Sequence, residues 1–200
     1  MTNVREIRIS TGFPQILFFV NAVIPALLLG WDTVNGRLGT NPPEYLIRTT
    51  GMLTLIFVAV TLTIRPAMKV SGIAVLIRLR RMAGLFAFFY GCLHALSYSW
   101  FDKGFNIEAI FVDVRQRPFI FLGMFAFLAM TPLAITSTRG MVKRLGGRRW
   151  KLLHRVIYAI AVAGVAHYYL LVRADKQLPI IFGAIIAGLL LWRWRDGRRR

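Results

Sequence analysis

The three histidines of this 200-residue chain, His94, His154 and His167, all fall inside apolar stretches and none in a polar loop. An ionisable side chain placed in hydrocarbon is costly and by default marks a functional site. The chemistry that imidazole offers there is ligation, since it is the usual axial ligand of haem iron in helical proteins. A lone histidine in such a place simply hydrogen-bonds a neighbouring backbone or hydroxyl group; three of them on two segments point to ligation instead. No Asp or Glu lies deep in any apolar stretch. That argues against a proton- or cation-coupled carrier, and it leaves no carboxylate to orient a histidine beside a serine for hydrolysis.

The apolar stretches predict six membrane-spanning helices, at 13–31, 45–64, 82–101, 118–136, 152–172 and 178–194. Each is close to the roughly 17–25 residues that a bilayer core demands. At about 1.5 Å per residue, His94 lies roughly 18 Å from the inner end of the third span and His167 roughly 22 Å from that of the fifth. The two are level and can clamp one iron from opposite sides. His154 sits on the order of 20 Å below His167 and is turned from it by roughly 220°, so it serves a different layer. No second histidine matches it. Arg80 and Arg81, at the corresponding depth on the third span, are not neutral nitrogen ligands. His154 is left with a second haem bearing a non-histidine ligand or an open position, a flavin, or a haem propionate.

Composition excludes the other classes. The chain is 56% hydrophobic and only 17% charged, with a mean hydropathy of +0.58, which excludes disorder and an ordinary soluble domain. One cysteine, Cys92, excludes a disulfide scaffold. The net charge of +18 suits a nucleic-acid binder, but the apolar bulk does not. The reading is an all-α membrane protein: a single transmembrane domain over 1–200, built as a six-helix bundle. The first span is read as a retained helix, because no small-residue cleavage site follows it.

Orientation follows the basic residues. Of the 26 Lys and Arg, 18 fall on one side: Arg5 and Arg8, the 65–81 loop, the 139–151 loop and the carboxyl end. Both termini are therefore expected in the cytoplasm. Most basic loop residues need no role beyond topology and contact with anionic headgroups. From Arg78, Arg80, Arg81, Arg148 and Arg149, a few are expected to clamp propionates or a flavin phosphate, or to dock an acidic partner; Arg80, Arg81 and Arg148 are the cofactor-binding candidates. Phe86, Phe89, Tyr90, Tyr98, Tyr158, Tyr168 and Tyr169 either line a macrocycle or pack the bundle. No stretch is long enough for a nucleotide-binding fold, and no G-x-G-x-x-G or P-loop pattern occurs.

Two segments, RRMAGLFAFFYGCLHALSY (80–98) and ITSTRGMVKRLGGRRWKLLHRVIYAIAVAGVAHYY (135–169), closely resemble the MsrQ family. Their specific parts are R-R-x-x-G-L leading to His94, the T-S-T of Thr136, Ser137 and Thr138, and R-W-x-x-L-H-R-x-x-Y followed by A-H-Y. That family is the haem-binding membrane subunit of the bacterial periplasmic methionine-sulfoxide reductase system, within the ferric-reductase-like transmembrane group. The resemblance implies a multi-pass inner-membrane protein with b-type haem, one or two, on His94, His154 and His167, and an associated FMN. It implies an electron-transfer subunit rather than the catalytic one. Electrons come from a cytoplasmic flavin reductase or quinone and go to a periplasmic molybdopterin subunit of the MsrP kind. The chain lacks the second histidine on the third span that a four-histidine, two-haem arrangement uses.

The rival within the redox class is a stand-alone ferric or quinone-linked reductase. The rival from another class is a non-redox carrier or scaffold. A carrier often shows inverted repeats with interrupted helices, and the two halves here do not correspond in that way.

Overall fold

The structure, a computed structural model, describes residues 12–198. Arg5, Arg8, Arg199 and Arg200, which enter the charge count, lie outside the described residues. Everything else is built from helices.

The first helix, α1 (Phe13–Val34), carries Pro14 in its first turn, where a missing N–H costs nothing, and runs on through Pro25. Its polar side chains close on their own backbone: Asn21 donates to the Leu17 carbonyl at 2.8 Å. Next comes α2 (Pro42–Ser71), capped by the Asn41 side chain, which accepts from the Glu44 amide; it ends at Gly72 with φ +72, a left-handed position that suits glycine. A 3-10 turn (Ala74–Arg78) leads into α3 (Leu79–Ser97), which loosens into a π turn at Tyr98–Asp102. The remaining helices are α4 (Ile107–Gln116), α5 (Pro118–Ile135), α6 (Arg139–Leu145), α7 (Gly147–Leu153), α8 (Ile157–Leu171) and α9 (Gln177–Arg198).

Two helix pairs form the frame. α2 packs along α3, and α5 packs along α8. Contacts of α3 with α5 and of α2 with α8 join the pairs, while α1 leans on α3 and α9 on α8 and α2. The core holds Phe57, Val58, Leu62, Ala87, Tyr90, Ala126, Ile160 and Ala161. Phe57 lies between Phe86 (5.5 Å) and Tyr90 (5.4 Å, planes 10° apart), and the Tyr90 hydroxyl donates to the Ala22 carbonyl of α1. Outside, large apolar residues are bare: Phe13, Leu27 and Trp31 are each more than 60% exposed. A surface so apolar on so long a helix requires lipid rather than water.

Among the described residues, four helices are long and apolar enough to cross a membrane: α1, α2, α5 and α9. The two remaining expected spans are the histidine-bearing ones, and both depart from simple helices. The stretch 152–172 is interrupted, because His154–Val156 forms a 3-10 turn and α8 beyond it has 15 residues. The stretch 82–101 ends in the π turn. His154 therefore sits in a turn, and the 220° rotation computed for a regular helix does not describe its relation to His167.

Candidate functional site

His94 is on α3 and His167 on α8, one from each helix pair. Their ring centres lie 6.1 Å apart with planes at 80°, so the level placement expected from helix rise is met. Each ring is held by its pair partner in the same way. His94 Nδ1 is 2.9 Å from the Ile47 carbonyl of α2; His167 Nδ1 is 2.5 Å from the Phe119 carbonyl of α5. A carbonyl only accepts, so each Nδ1 carries the proton and each Nε2 presents a lone pair. Neither Nε2 has a hydrogen-bond partner among the described residues.

Sequence reasoning missed the two glycines that make room for these rings. A Cβ on Gly51 of α2 would stand 2.9 Å from His94 Cε1, and one on Gly123 of α5 would stand 2.8 Å from His167 Nδ1. Each glycine lies one helical turn after the carbonyl that fixes the ring, Ile47 before Gly51 and Phe119 before Gly123. The available signal was a glycine four residues beyond another apolar position on a histidine-free span, which is readable only once the helix pairing is known.

The donor set can be tested against a haem. No group of three or more His, Cys, Asp or Glu that could hold a metal ion occurs among the described residues. Two imidazoles alone do not saturate an iron, so any metal here must bring further donors with it, as a porphyrin does. A metal–imidazole bond is about 2.0–2.1 Å. With one on each side, the ring centres fall roughly 6 Å apart, which agrees with the 6.1 Å observed. Anchoring of Nδ1 by a carbonyl is the usual support for a ligating histidine. The residues fit.

The surroundings of His154 are built differently. His154 Nε2 lies 3.2 Å from Thr136 Oγ1. That hydroxyl gives its proton to the Pro132 carbonyl at 2.6 Å, so it accepts from Nε2–H. Trp150 stacks on the His154 ring at 4.0 Å and donates to the Thr136 carbonyl. Thr136 of the T-S-T segment is thus the partner of His154, while Thr138 caps α6. Arg80 is half-buried and lies in the electrostatic range of His154, Tyr158, Arg65 and Arg193. Arg193, grouped with the terminal charges in the sequence, in fact turns inward: it donates to the Tyr158 hydroxyl (2.9 Å) and the Leu62 carbonyl (2.8 Å), and its Nε is buried with no hydrogen-bond partner among the described residues.

The other candidates separate. Arg81 lines a cleft with Arg78 and Arg139. Arg148 is exposed on α7. Most of the aromatic residues are committed elsewhere: Phe86 and Tyr90 to the core, Tyr98 to Asp113, Tyr158 to Arg193, and Tyr168 to Phe182.

A family model for the ferric reductase like transmembrane component matches residues 49–165, which contain His94 and His154 and stop two residues short of His167. Among curated proteins, the protein-methionine-sulfoxide reductase heme-binding subunit MsrQ of Herminiimonas arsenicoxydans is 49% identical over 185 residues, covering 90% of this chain and 85% of that protein. The protein of the same description from Rhodospirillum rubrum is 49% identical, covering 93% of this chain and 89% of its own. That from Caulobacter vibrioides is 45% identical, covering 92% and 87%. No solved structure is a match. With matches of this length, the chain belongs to the MsrQ family of ferric-reductase-like membrane proteins.

Proposed function

We propose that this protein is a b-type cytochrome subunit that carries electrons across the bacterial inner membrane to a periplasmic methionine-sulfoxide reductase. The observation that carries the reading is the pair His94–His167: two rings 6.1 Å apart, each pinned through Nδ1 to a backbone carbonyl. It is an electron-transfer subunit; the sulfoxide chemistry belongs to a separate molybdopterin partner of the MsrP kind. In this reading all six stretches cross the membrane, α3 and the α7–α8 segment included, with both termini in the cytoplasm.

The haem, when bound, supplies one-electron redox chemistry. The protein's part is to hold and tune it. His94 and His167 would hold it through Nε2. The Ile47 and Phe119 carbonyls fix ring orientation and make each imidazole a stronger donor. Gly51 and Gly123 let the rings sit close against α2 and α5, and the apolar core around Tyr90 and Ala161 keeps the site dry. On the cytoplasmic side, His154, Arg80 and Arg193 face the donor's electrons, which arrive from a flavin reductase or a quinone. That layer suits the anionic group of a flavin such as FMN, or of a second macrocycle.

The test is a reduced-minus-oxidised absorption spectrum of the detergent-purified protein, with haem counted per chain. A b-type spectrum at about one haem per chain is expected from one bis-histidine site. Folded protein without colour would return the reading to a carrier or scaffold.

A further inference from the structure

We propose that a cleft between α1, α3 and α6 binds the phosphate of an anionic glycerophospholipid. The cleft has a volume of about 730 Å³ and is lined by Gln15, Ile77, Arg78, Arg81, Met82, Leu85 and Arg139. Three arginines line it from three separate elements: Arg78 of the 3-10 turn, Arg81 of α3 and Arg139 of α6. No carboxylate lines the cleft, and none of the three forms an ion pair or hydrogen bond among the described residues. Like charges brought together in this way repel unless an anion sits among them.

The rest of the wall identifies the class of anion. Ile77, Met82 and Leu85 are aliphatic, and no aromatic ring lines the cleft for a flat heterocycle to stack on. On α1, beside Gln15, the residues Phe13, Ile16 and Leu17 are 63%, 64% and 52% exposed. An apolar surface thus adjoins the cationic cleft. A ligand with a charged head and aliphatic tails satisfies both, and basic pockets between membrane helices on the cytoplasmic side take such headgroups. Adjacent residues divide the work, with Arg80 near Arg193 and His154 and Arg81 in the cleft. Only the choice of leaflet rests on the proposed orientation; the site itself does not depend on the haem reading.

The test uses the full chain, delipidated in neutral detergent and then given mixed micelles of phosphatidylglycerol or of phosphatidylcholine. Native mass spectrometry counts retained lipid, tryptophan fluorescence gives Tm, and haem per chain is measured on the same samples. Phosphatidylglycerol should be retained and raise Tm, while phosphatidylcholine does neither. The double variant R78Q/R139Q should hold phosphatidylglycerol about thirtyfold more weakly, the effect of removing two headgroup contacts. R144Q/R149Q, with the same change in net charge, should hold it like the parent. If the first double variant does not fold, R139Q alone should show a smaller loss in the same direction. Equal retention of the two lipids, or equal loss in the two double variants, overturns the proposal. So does displacement of phosphatidylglycerol by an equal concentration of FMN, which would make the cleft a nucleotide-phosphate site. Because haem content is read separately, loss of the lipid assignment leaves the cytochrome reading standing, and the reverse.

Discussion

The His94–His167 pair and His154 use the same side chain in opposite tautomers. At His94 and His167 the proton is on Nδ1, given to a carbonyl, and Nε2 has no partner among the described residues. At His154 the proton is on Nε2, given to Thr136, under a stacked Trp150. Around His94 and His167, paired helices supply a carbonyl and, one turn later, a glycine. Around His154 the setting is charged, with Arg80 and the inward-turned Arg193 close by and Arg193 Nε without a hydrogen-bond partner among the described residues. A histidine's identity says little about its task; the hydrogen bond on its far nitrogen says much more.

The sharpest way to break this comparison is to delete each imidazole. His94→Ala or His167→Ala leaves the iron short of a strong ligand and should abolish the outer haem, read as the loss of the b-type spectrum. His154→Ala should keep that haem and slow its reduction from the cytoplasmic side. If all haem is lost with His154, the two layers are not separate. The glycines sharpen the point without touching a ligand. Gly123→Ala puts a methyl group 2.8 Å from His167 Nδ1 and should weaken haem binding by roughly 10–100-fold, as displaced ligand-orienting contacts do, measured by titrating haem into apoprotein. Gly188→Ala meets nothing within 4 Å and should bind haem like the parent.

The three histidines and the level pairing of two of them were legible in the sequence, because apolar runs and helix rise fix depth along each segment. Which helices pair was not. Without that, Gly51 and Gly123 look like any glycines in apolar helices, and the Ile47 and Phe119 carbonyls have no sequence mark at all. Arg193 was hidden for another reason: it stands at the edge of a basic run, and only the packing of α9 on α8 and α2 shows that it turns inward. The break in the fifth expected span was also invisible, since hydropathy averages across His154–Val156 and does not sense a change from α to 3-10 geometry.

Smaller in effect is Thr136→Val, which keeps shape but leaves Nε2–H of His154 without its acceptor. An unpaired buried donor costs about 1–3 kcal/mol. The expected result is a lower Tm with the outer haem intact and slower reduction from the inner side. A variant that reduces at the parent's rate would separate Thr136 from the electron path and leave it a structural partner.

The smallest effect belongs to the other end of the bundle, and it distinguishes a charge network from a ligand site. Buried Asp113 on α4 takes hydrogen bonds from Lys103 (2.7 Å) and the Tyr98 hydroxyl (2.8 Å), with Arg117 at 3.6 Å. Burial alone would raise its pKa, but these partners outweigh it and hold the carboxyl below its ordinary value. A depressed carboxylate contributes stability that is full above its unfolded pKa, about 3.9, and is lost as pH falls through the lower folded value. The difference in Tm between the parent and Asp113→Asn should therefore be constant from neutral pH down to about 5 and shrink below about 4. The haem spectrum of the variant should match the parent's throughout. A difference that instead changed between pH 6 and 8 would mean that the histidines sense Asp113.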